Sequence, residues 1–249
     1  MLEARNALRS ALRRLVSDKG KILSATYSSL EQSFCDAENI LFYNVGAAAF
    51  GTVATKGIRF DRLHCVPCVS HSGRHFKHHH HYRIADMPHP AVKPPDASFK
   101  FVLGSLSSST KPHEVWWPAS DSGPGPISPI KGSFEMRVAL QIPSPFLNLT
   151  SVIKPLLDGV ICAFHFDSNP DPIAVQRLAA TTGLEREMIL HRLQSPKTPI
   201  LGSRRLLDPY RSFVKWNPAD DLCQTCTVVC EQSPARHCCV DVWDRQETK

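Results

Sequence analysis

The clearest element in the hydrophobic pattern is a strand at residues 134–142. Apolar residues at every second position, from Phe134 to Ile142, alternate with less apolar ones such as Glu135 and Gln141. Successive side chains of a strand point to opposite faces, so a period of two collects the apolar side chains on one face. The pattern predicts a strand with that face in the core.

A helix is predicted at residues 154–165. Pro155 is tolerated because it falls in the first turn, where the missing N–H has no partner in the helix. Gly159 and Ala163 lie at the opposite edges of the helix and predict that another element approaches it closely. The apolar face consists of residues at helical spacing, namely Leu156, Leu157, Val160, Ile161 and Phe164.

Shorter segments rich in branched and aromatic residues predict further strands. With residues 134–142, the strands between residues 38 and 142 are expected to form a mainly antiparallel sheet that packs against the central helix. The chain is therefore predicted to have an α+β fold. The short segments are residues 40–45, 58–63, 76–84, 98–103 and 211–216.

Two more regions favour helices. Residues 1–20 place apolar residues on one side of a helix and Arg5, Arg9 and Arg13 on the other, so an amphipathic basic helix is expected. Residues 171–194 begin with an Asp-Pro start signal and contain an internal glycine, which together predict a helical hairpin.

Two segments are expected to lack regular structure. Residues 104–131 are rich in serine, proline and glycine and are interpreted as a loop-rich insertion. The chain changes composition after Pro218, so residues 1–221 are predicted to form a single domain and residues 222–249 a separable Cys-rich tail.

Composition narrows the choice of compartment. No run of about 18 apolar residues occurs, so no membrane contact is expected. The N-terminal residues lack an apolar signal segment, and the nine cysteines are therefore interpreted as reduced thiols or metal ligands of a cytoplasmic protein. The net charge of +6 comes entirely from residues 1–100, which favours an acidic partner or nucleic acid.

The Cys-rich tail is one candidate metal site. Cys223, Cys226, Cys230 and His237 are of the types that bind zinc, and the first two have the C-x2-C spacing of many structural zinc sites. The second half of the pattern does not fit a standard zinc finger. A flexible tail with free thiols is the alternative.

The run of four histidines at residues 78–81 is a second candidate. On a strand, His78 and His80 would share one face, and two imidazoles so placed can bind one divalent metal ion. Metal-dependent hydrolases use such pairs together with carboxylates. The alternative interpretation is a polar, half-exposed face of the sheet.

Catalytic candidates lie on the central helix and shortly before the tail. Asp158 and His165 lie with Cys162 on the side of the helix opposite its apolar face. Asp220 and Asp221 are adjacent acids, and magnesium prefers carboxylate ligands. None of these residues belongs to a complete catalytic motif.

The hairpin carries a pattern similar to that of a DNA-binding helix-turn-helix. A small residue, a turn glycine and a branched residue occur at Ala179, Gly183 and Ile189. Glu185 and Glu187, however, begin the second helix, where phosphates would be met. A structural hairpin is therefore preferred.

The sequence leaves two classes of function open. The first is a non-enzymatic protein that binds nucleic acid or another protein through the basic helix and the hairpin, and the absence of a complete catalytic motif favours it. The second is a metal-dependent, nuclease-like hydrolase that uses the histidine run and nearby acidic residues.

Overall fold

The computed structural model describes residues 2–16, 20–29, 36–64, 77–88, 93–123, 129–143 and 148–245, and its largest element is a seven-stranded sheet. In chain order the helices and strands are α1 (Leu2–Leu12), β1 (Lys21–Ser29), β2 (Gly57–Leu63), β3 (His78–Asp86), β4 (Ala97–Val102), α2 (Pro112–Ser120), β5 (Phe134–Ile142), α3 (Ile153–Ala163), α4 (Pro172–Thr182), α5 (Arg186–Gln194), β6 (Leu207–Tyr210), β7 (Phe213–Trp216), β8 (Cys223–Gln232) and β9 (His237–Asp244).

The large sheet has the strand order β3-β1-β2-β8-β5-β9-β4, and β6 and β7 form a separate hairpin. The pairs β1–β2 and β5–β8 are parallel, whereas the other neighbours are antiparallel. The α+β class is therefore confirmed, but the mainly antiparallel sheet is not, since the sheet is mixed. Parallel neighbours require a crossover connection, and residues 30–56 connect β1 to β2.

One face of the sheet forms the core. A row of paired residues crosses six strands on this face, and every member is buried. Phe164, at the end of α3, stacks on Phe99 of β4 with the ring centres 4.2 Å apart. Burying each large apolar side chain contributes roughly 1.5 to 3 kcal/mol, so this face holds strands and helices together. The row consists of Leu23, Ile58, Val228, Val138, Val240 and Phe99.

The segment at residues 40–45 is not a strand. Residues Asn39–Tyr43 form a π-helical turn in which Leu41 and Phe42 are both buried. Phe42 packs edge-on against Phe60 of β2, with the ring centres 6.4 Å apart. Two adjacent side chains that both face the core do not fit a strand's alternation, and here the apolar composition was misleading.

The other short strands are found close to their predicted positions. Residues 58–63, 98–103 and 211–216 correspond to β2, β4 and β7. The segment at 76–84 corresponds to β3, although residue 76 lies outside the described residues. Residues 134–142 coincide with β5, and the central helix with α3.

The predicted loop-rich insertion contains α2. Pro112 occupies its first turn, and the Glu114 carboxylate accepts a hydrogen bond of 2.6 Å from the Lys111 backbone N–H. Trp116 is fully buried and packs against Trp216 of β7, with the ring centres 5.4 Å apart. The Trp116 ring therefore fills the core.

Helices α2 and α3 touch at Gly159. A Cβ atom added there would lie 2.6 Å from the Pro112 carbonyl oxygen and 2.6 Å from Val115 Cβ. The close approach that Gly159 predicts is therefore present, and its partner is α2.

Gly159→Ala is expected to lower the free energy of unfolding by roughly 1 to 3 kcal/mol, because the added methyl group forces α2 and α3 apart. Gly104→Ala is the matched control, since nothing lies within 4 Å of the position of its Cβ. Urea unfolding of both variants measures the difference. Equal stability of the two variants would show that α2 and α3 can move apart without lowering the free energy of unfolding.

The separable Cys-rich tail is not confirmed. Strand β8 pairs with β2 on one side and β5 on the other, and β9 lies between β5 and β4. Residues Thr225 to Val229 of β8 are all buried. Because a strand buried on both faces shows no alternation of apolar and polar residues, the sequence pattern concealed it.

The remaining helices lie at the periphery. Arg9 on α1 donates a hydrogen bond of 2.6 Å to the Val45 carbonyl. The Asp171 side chain caps α4, and Gly183 ends that helix with a φ of 72°, which favours glycine. Ile189 of α5 is buried. No helix among the described residues has the length and apolar character needed to cross a membrane.

Candidate active site

Four carboxylates surround the ammonium group of Lys154 at one end of the sheet. The distances from Lys154 Nζ are 2.7 Å to Asp158 Oδ1, 2.8 Å to Asp220 Oδ2, 3.2 Å to Glu38 Oε1 and 3.4 Å to Asp36 Oδ2. We call these five residues the carboxylate cluster.

Three parts of the chain build this cluster. Lys154 and Asp158 lie one helical turn apart at the start of α3, where residues four apart are neighbours. Asp220 begins a 3₁₀ turn that leads into β8. Asp36 and Glu38 directly precede the π-helical turn at Asn39–Tyr43. Strands β2 and β8 are antiparallel, so the end of β2 lies beside the start of β8. The three parts of the chain that carry the cluster meet at this end of the sheet.

The cluster is mostly buried. Glu38 is 1% exposed, and Asp158 and Asp220 are also buried. Burial raises the pKa of Glu38 to about 8, of Asp158 to about 7 and of Asp220 to about 6, although the neighbouring Lys154 opposes each shift. Burial alone would lower the pKa of Lys154, but the carboxylates outweigh it and the pKa lies above its ordinary value.

One lysine does not satisfy this much negative charge. Lys154 donates hydrogen bonds to Asp220 and Asp36, at 2.8 Å and 3.4 Å. Glu38 Oε1 is buried and accepts no hydrogen bond from any donor in the described ranges, because its 3.2 Å contact with Lys154 Nζ is an ion pair without hydrogen-bond geometry. Buried polar oxygens normally have such a partner. The cluster can therefore accept a further cation or further protons.

Three members of the cluster are placed to bind a metal ion. One carboxylate oxygen from each of Asp36, Glu38 and Asp220 lies within 4.8 Å of the others. Hard divalent cations such as Mg²⁺ and Mn²⁺ prefer carboxylate oxygens. Within the part of the chain that the structure describes, these residues are the one set of three or more acidic, histidine or cysteine ligands so close together.

The cluster opens into a cleft of about 810 Å³. Basic residues also line it, among them Arg204 and Lys215, and the aromatic rings of Tyr43 and Phe213 contribute to its walls. Arg204 is held in place because its Nε donates to the Asn217 carbonyl at 2.9 Å and its Nη2 lies 3.6 Å from Asp221 Oδ1. The cleft thus combines acidic, basic and aromatic groups.

Three of the predicted catalytic candidates lie in this cleft. Asp158 and Asp220 belong to the carboxylate cluster, and Asp221 lines the cleft beside Arg204. His165 lies elsewhere, in the loop after α3, with its Nδ1 3.2 Å from the Gly202 carbonyl oxygen. Burial lowers the pKa of His165 to about 4, so this imidazole is neutral at physiological pH.

His78 and His80 lie on β3, the edge strand of the sheet. They share one face, as predicted, and both contact Tyr27 of β1. The Tyr27 hydroxyl is 2.8 Å from His78 Nδ1, and the His80 ring is edge-on to the Tyr27 ring at 5.6 Å. The structure does not bring them into the carboxylate cluster, and their role as metal ligands stays a prediction.

The sheet register separates the cysteine and histidine candidates. Cys230 pairs with Leu140 and His237 with Gln141, so these two residues are on opposite faces of the sheet. Cys223 and Cys226 are buried, and a hydrogen bond between their side chains, together with burial, raises the pKa of Cys223. Zinc binding by this set stays a prediction.

Arg9 of the basic helix holds α1 to Val45, whereas Arg5 and Arg13 are exposed. Contact of these arginines with nucleic acid stays a prediction.

Asp36, Glu38 and Lys154 were missed by sequence reasoning. Asp36 and Glu38 are more than 100 residues from the rest of the cluster, and only the fold brings them together. The spacing of Lys154 and Asp158, four residues apart on a predicted helix, was a usable signal for an ion pair.

Comparison with known proteins gives no relative: no protein family, curated protein or solved structure matches this chain significantly.

Proposed function

We propose that this protein is a metal-dependent hydrolase of phosphoesters, with a divalent cation bound by Asp36, Glu38 and Asp220. The observation that carries the proposal is the excess of buried carboxylate around Lys154. Four carboxylates face one ammonium group, and the buried Glu38 Oε1 accepts no hydrogen bond from any described residue. A divalent cation would neutralise most of this excess charge.

The same residues fit the chemistry of phosphoester hydrolysis. A bound Mg²⁺ or Mn²⁺ acidifies a coordinated water and polarises a phosphoryl oxygen. Lys154, which contacts the same carboxylates, would have to move aside for the ion and could then stabilise negative charge that develops on the phosphoryl group. Asp158, whose pKa burial raises to about 7, could exchange a proton near neutral pH. Arg204 and Lys215 supply positive charge in the cleft for an anionic substrate.

Of the residues expected for a hydrolase, the acidic ones contribute to this proposed site and the histidine run at residues 78–81 does not. Non-enzymatic binding of nucleic acid is the second candidate function. The exposed Arg5 and Arg13 on α1 favour it, since exposed arginines can contact phosphates.

Titration of the protein with Mn²⁺ and Mg²⁺ tests the metal site. Both ions are expected to raise the melting temperature, because a ligand that binds only the folded state stabilises it. Glu38→Gln is expected to weaken metal binding by at least about tenfold, since the amide is a neutral and poorer ligand. This variant should still fold, because the neutral amide has the size and shape of a buried carboxyl group whose pKa is raised to about 8.

Asp121→Asn is the matched control. Asp121 is exposed and pairs with Arg192 and Lys197, outside the residues that line the cleft. Its metal affinity and its hydrolysis of bis(4-nitrophenyl) phosphate should equal those of the parent. The proposal fails if metal ions leave the parent's melting temperature unchanged, or if Glu38→Gln binds and hydrolyses as the parent does.

A further inference from the structure

We propose that the cleft beside the carboxylate cluster binds single-stranded nucleic acid, with Tyr43 and Phe213 stacking on unpaired bases. This inference rests on the proposed function and names the substrate class of the same site.

The two aromatic rings are unusually exposed for their size. Tyr43 is 67% exposed and Phe213 is 53% exposed, and both line the cleft that holds Lys154. Tyr43 ends the π-helical turn whose Leu41 and Phe42 are buried. An exposed ring beside a candidate catalytic cluster is available for contact with a ligand.

Phe213 contacts both its own hairpin and helix α4. It pairs with Tyr210 across the β6–β7 hairpin, and their ring centres lie 5.2 Å apart. Arg177 of α4 reaches the Phe213 carbonyl with its Nη1 at 3.4 Å. Arg211, in the turn, has a φ of 50°, which is rare for a residue other than glycine. The hairpin and α4 thus place the ring at the wall of the cleft.

The charges of the cleft suit a polyanion whose backbone passes a metal ion. Arg204 and Lys215 can contact phosphates, while the carboxylates would repel a phosphate in the absence of a cation. Binding is therefore expected to strengthen when a divalent cation occupies the cluster. Cationic groups combined with aromatic rings are the features with which proteins bind single strands.

Exposed rings favour a single strand over a duplex. Bases in a duplex already stack on one another, whereas unpaired bases can stack on aromatic side chains. An oligonucleotide offers several successive bases, so one molecule can engage both Tyr43 and Phe213.

Fluorescence anisotropy with a labelled oligothymidylate in CaCl₂ tests this inference. Phe213→Leu and Tyr43→Leu are each expected to weaken binding on the order of tenfold, because leucine keeps the apolar bulk and loses the stacking surface. Phe213→Trp is expected to retain the parent's affinity. Ile173→Ala is the matched control, since Ile173 is 54% exposed on α4 and does not line the cleft.

Three outcomes would overturn the inference: no binding of the oligonucleotide, equal affinity for a duplex of the same length, or leucine variants that bind as the parent does. Hydrolysis of bis(4-nitrophenyl) phosphate separates this failure from that of the proposed function. Metal-dependent hydrolysis without binding of the strand would leave the function standing and remove the inference. Binding that depends on the rings, without metal-dependent hydrolysis, would remove the proposed function and leave the binding of single strands standing.

Discussion

Truncation after Asp221 is expected to abolish folding of the remaining chain. The truncation removes β8 and β9, which lie between β2 and β5 and between β5 and β4. Without them, β5 loses both of its neighbours and β4 and β2 lose one neighbour each. The backbone groups exposed in this way would have no partner within the sheet.

The truncation also removes more buried apolar surface than the stability of the remaining chain can compensate. The truncation removes buried core residues that include Val228, Val229, Val240 and Val242. At roughly 1.5 to 3 kcal/mol for each such side chain, the loss is comparable with the whole stability of a typical domain, about 5 to 15 kcal/mol.

Circular dichroism and thermal unfolding of residues 1–221 measure the effect. Truncation after Arg245 is the control, because it keeps all of β9 and the hydrogen bond from the Arg245 N–H to the Ser133 carbonyl. A cooperative transition of residues 1–221 close to that of the control would show that the C-terminal residues are separable after all.

The sequence predicted strand β5 and helix α3 for different reasons. Strand β5 has one face in the core, so its apolar residues recur with a clear period of two. Helix α3 is buried almost all round, but its large apolar residues still recur at helical spacing. Strand β8 is buried on both faces and carries threonines and cysteines, which were interpreted as a Cys-rich tail with candidate metal ligands. That β8 is a strand, and where it lies in the sheet, follow from pairing with residues distant in the sequence. A local sequence pattern does not contain this information.

The candidate site was only half predictable for the same reason. Asp158, Asp220 and Asp221 were singled out by residue type and spacing, whereas Asp36 and Glu38 were not. Their approach to Lys154 depends on the crossover between the parallel strands β1 and β2. The prediction of a strand at residues 40–45 placed a sheet element where this crossover runs.

Lys154→Met is expected to destabilise the protein by roughly 3 to 5 kcal/mol at about pH 8, because the buried carboxylates lose their cationic partner. Methionine keeps most of the aliphatic length, so the loss reports on charge more than on packing. Lys197→Met is the matched control, since that exposed lysine pairs only with the exposed Asp121 among the described residues.

The cost should depend on pH in a defined direction. Burial raises the pKa values of Glu38, Asp158 and Asp220 to about 8, 7 and 6, above the ordinary values of 4.5 and 3.8. Between the ordinary and the raised values, the folded state binds more protons than the unfolded state, so stability falls as pH rises. Removing Lys154 raises these pKa values further. The variant should therefore lose little stability at about pH 5 and most at about pH 8.

The effect of metal ions on Lys154→Met distinguishes a metal site from a structural ion-pair network in the carboxylate cluster. If it is a metal site, Mn²⁺ should restore much of the stability that Lys154→Met loses at about pH 8, because the ion supplies the missing positive charge to Asp36, Glu38 and Asp220. If it is a structural ion-pair network, Mn²⁺ should leave the variant as unstable as before. Urea unfolding at both pH values, with Mn²⁺ and with a chelator, distinguishes the two. An unchanged variant in Mn²⁺ would argue against the metal site, even if the parent bound metal elsewhere.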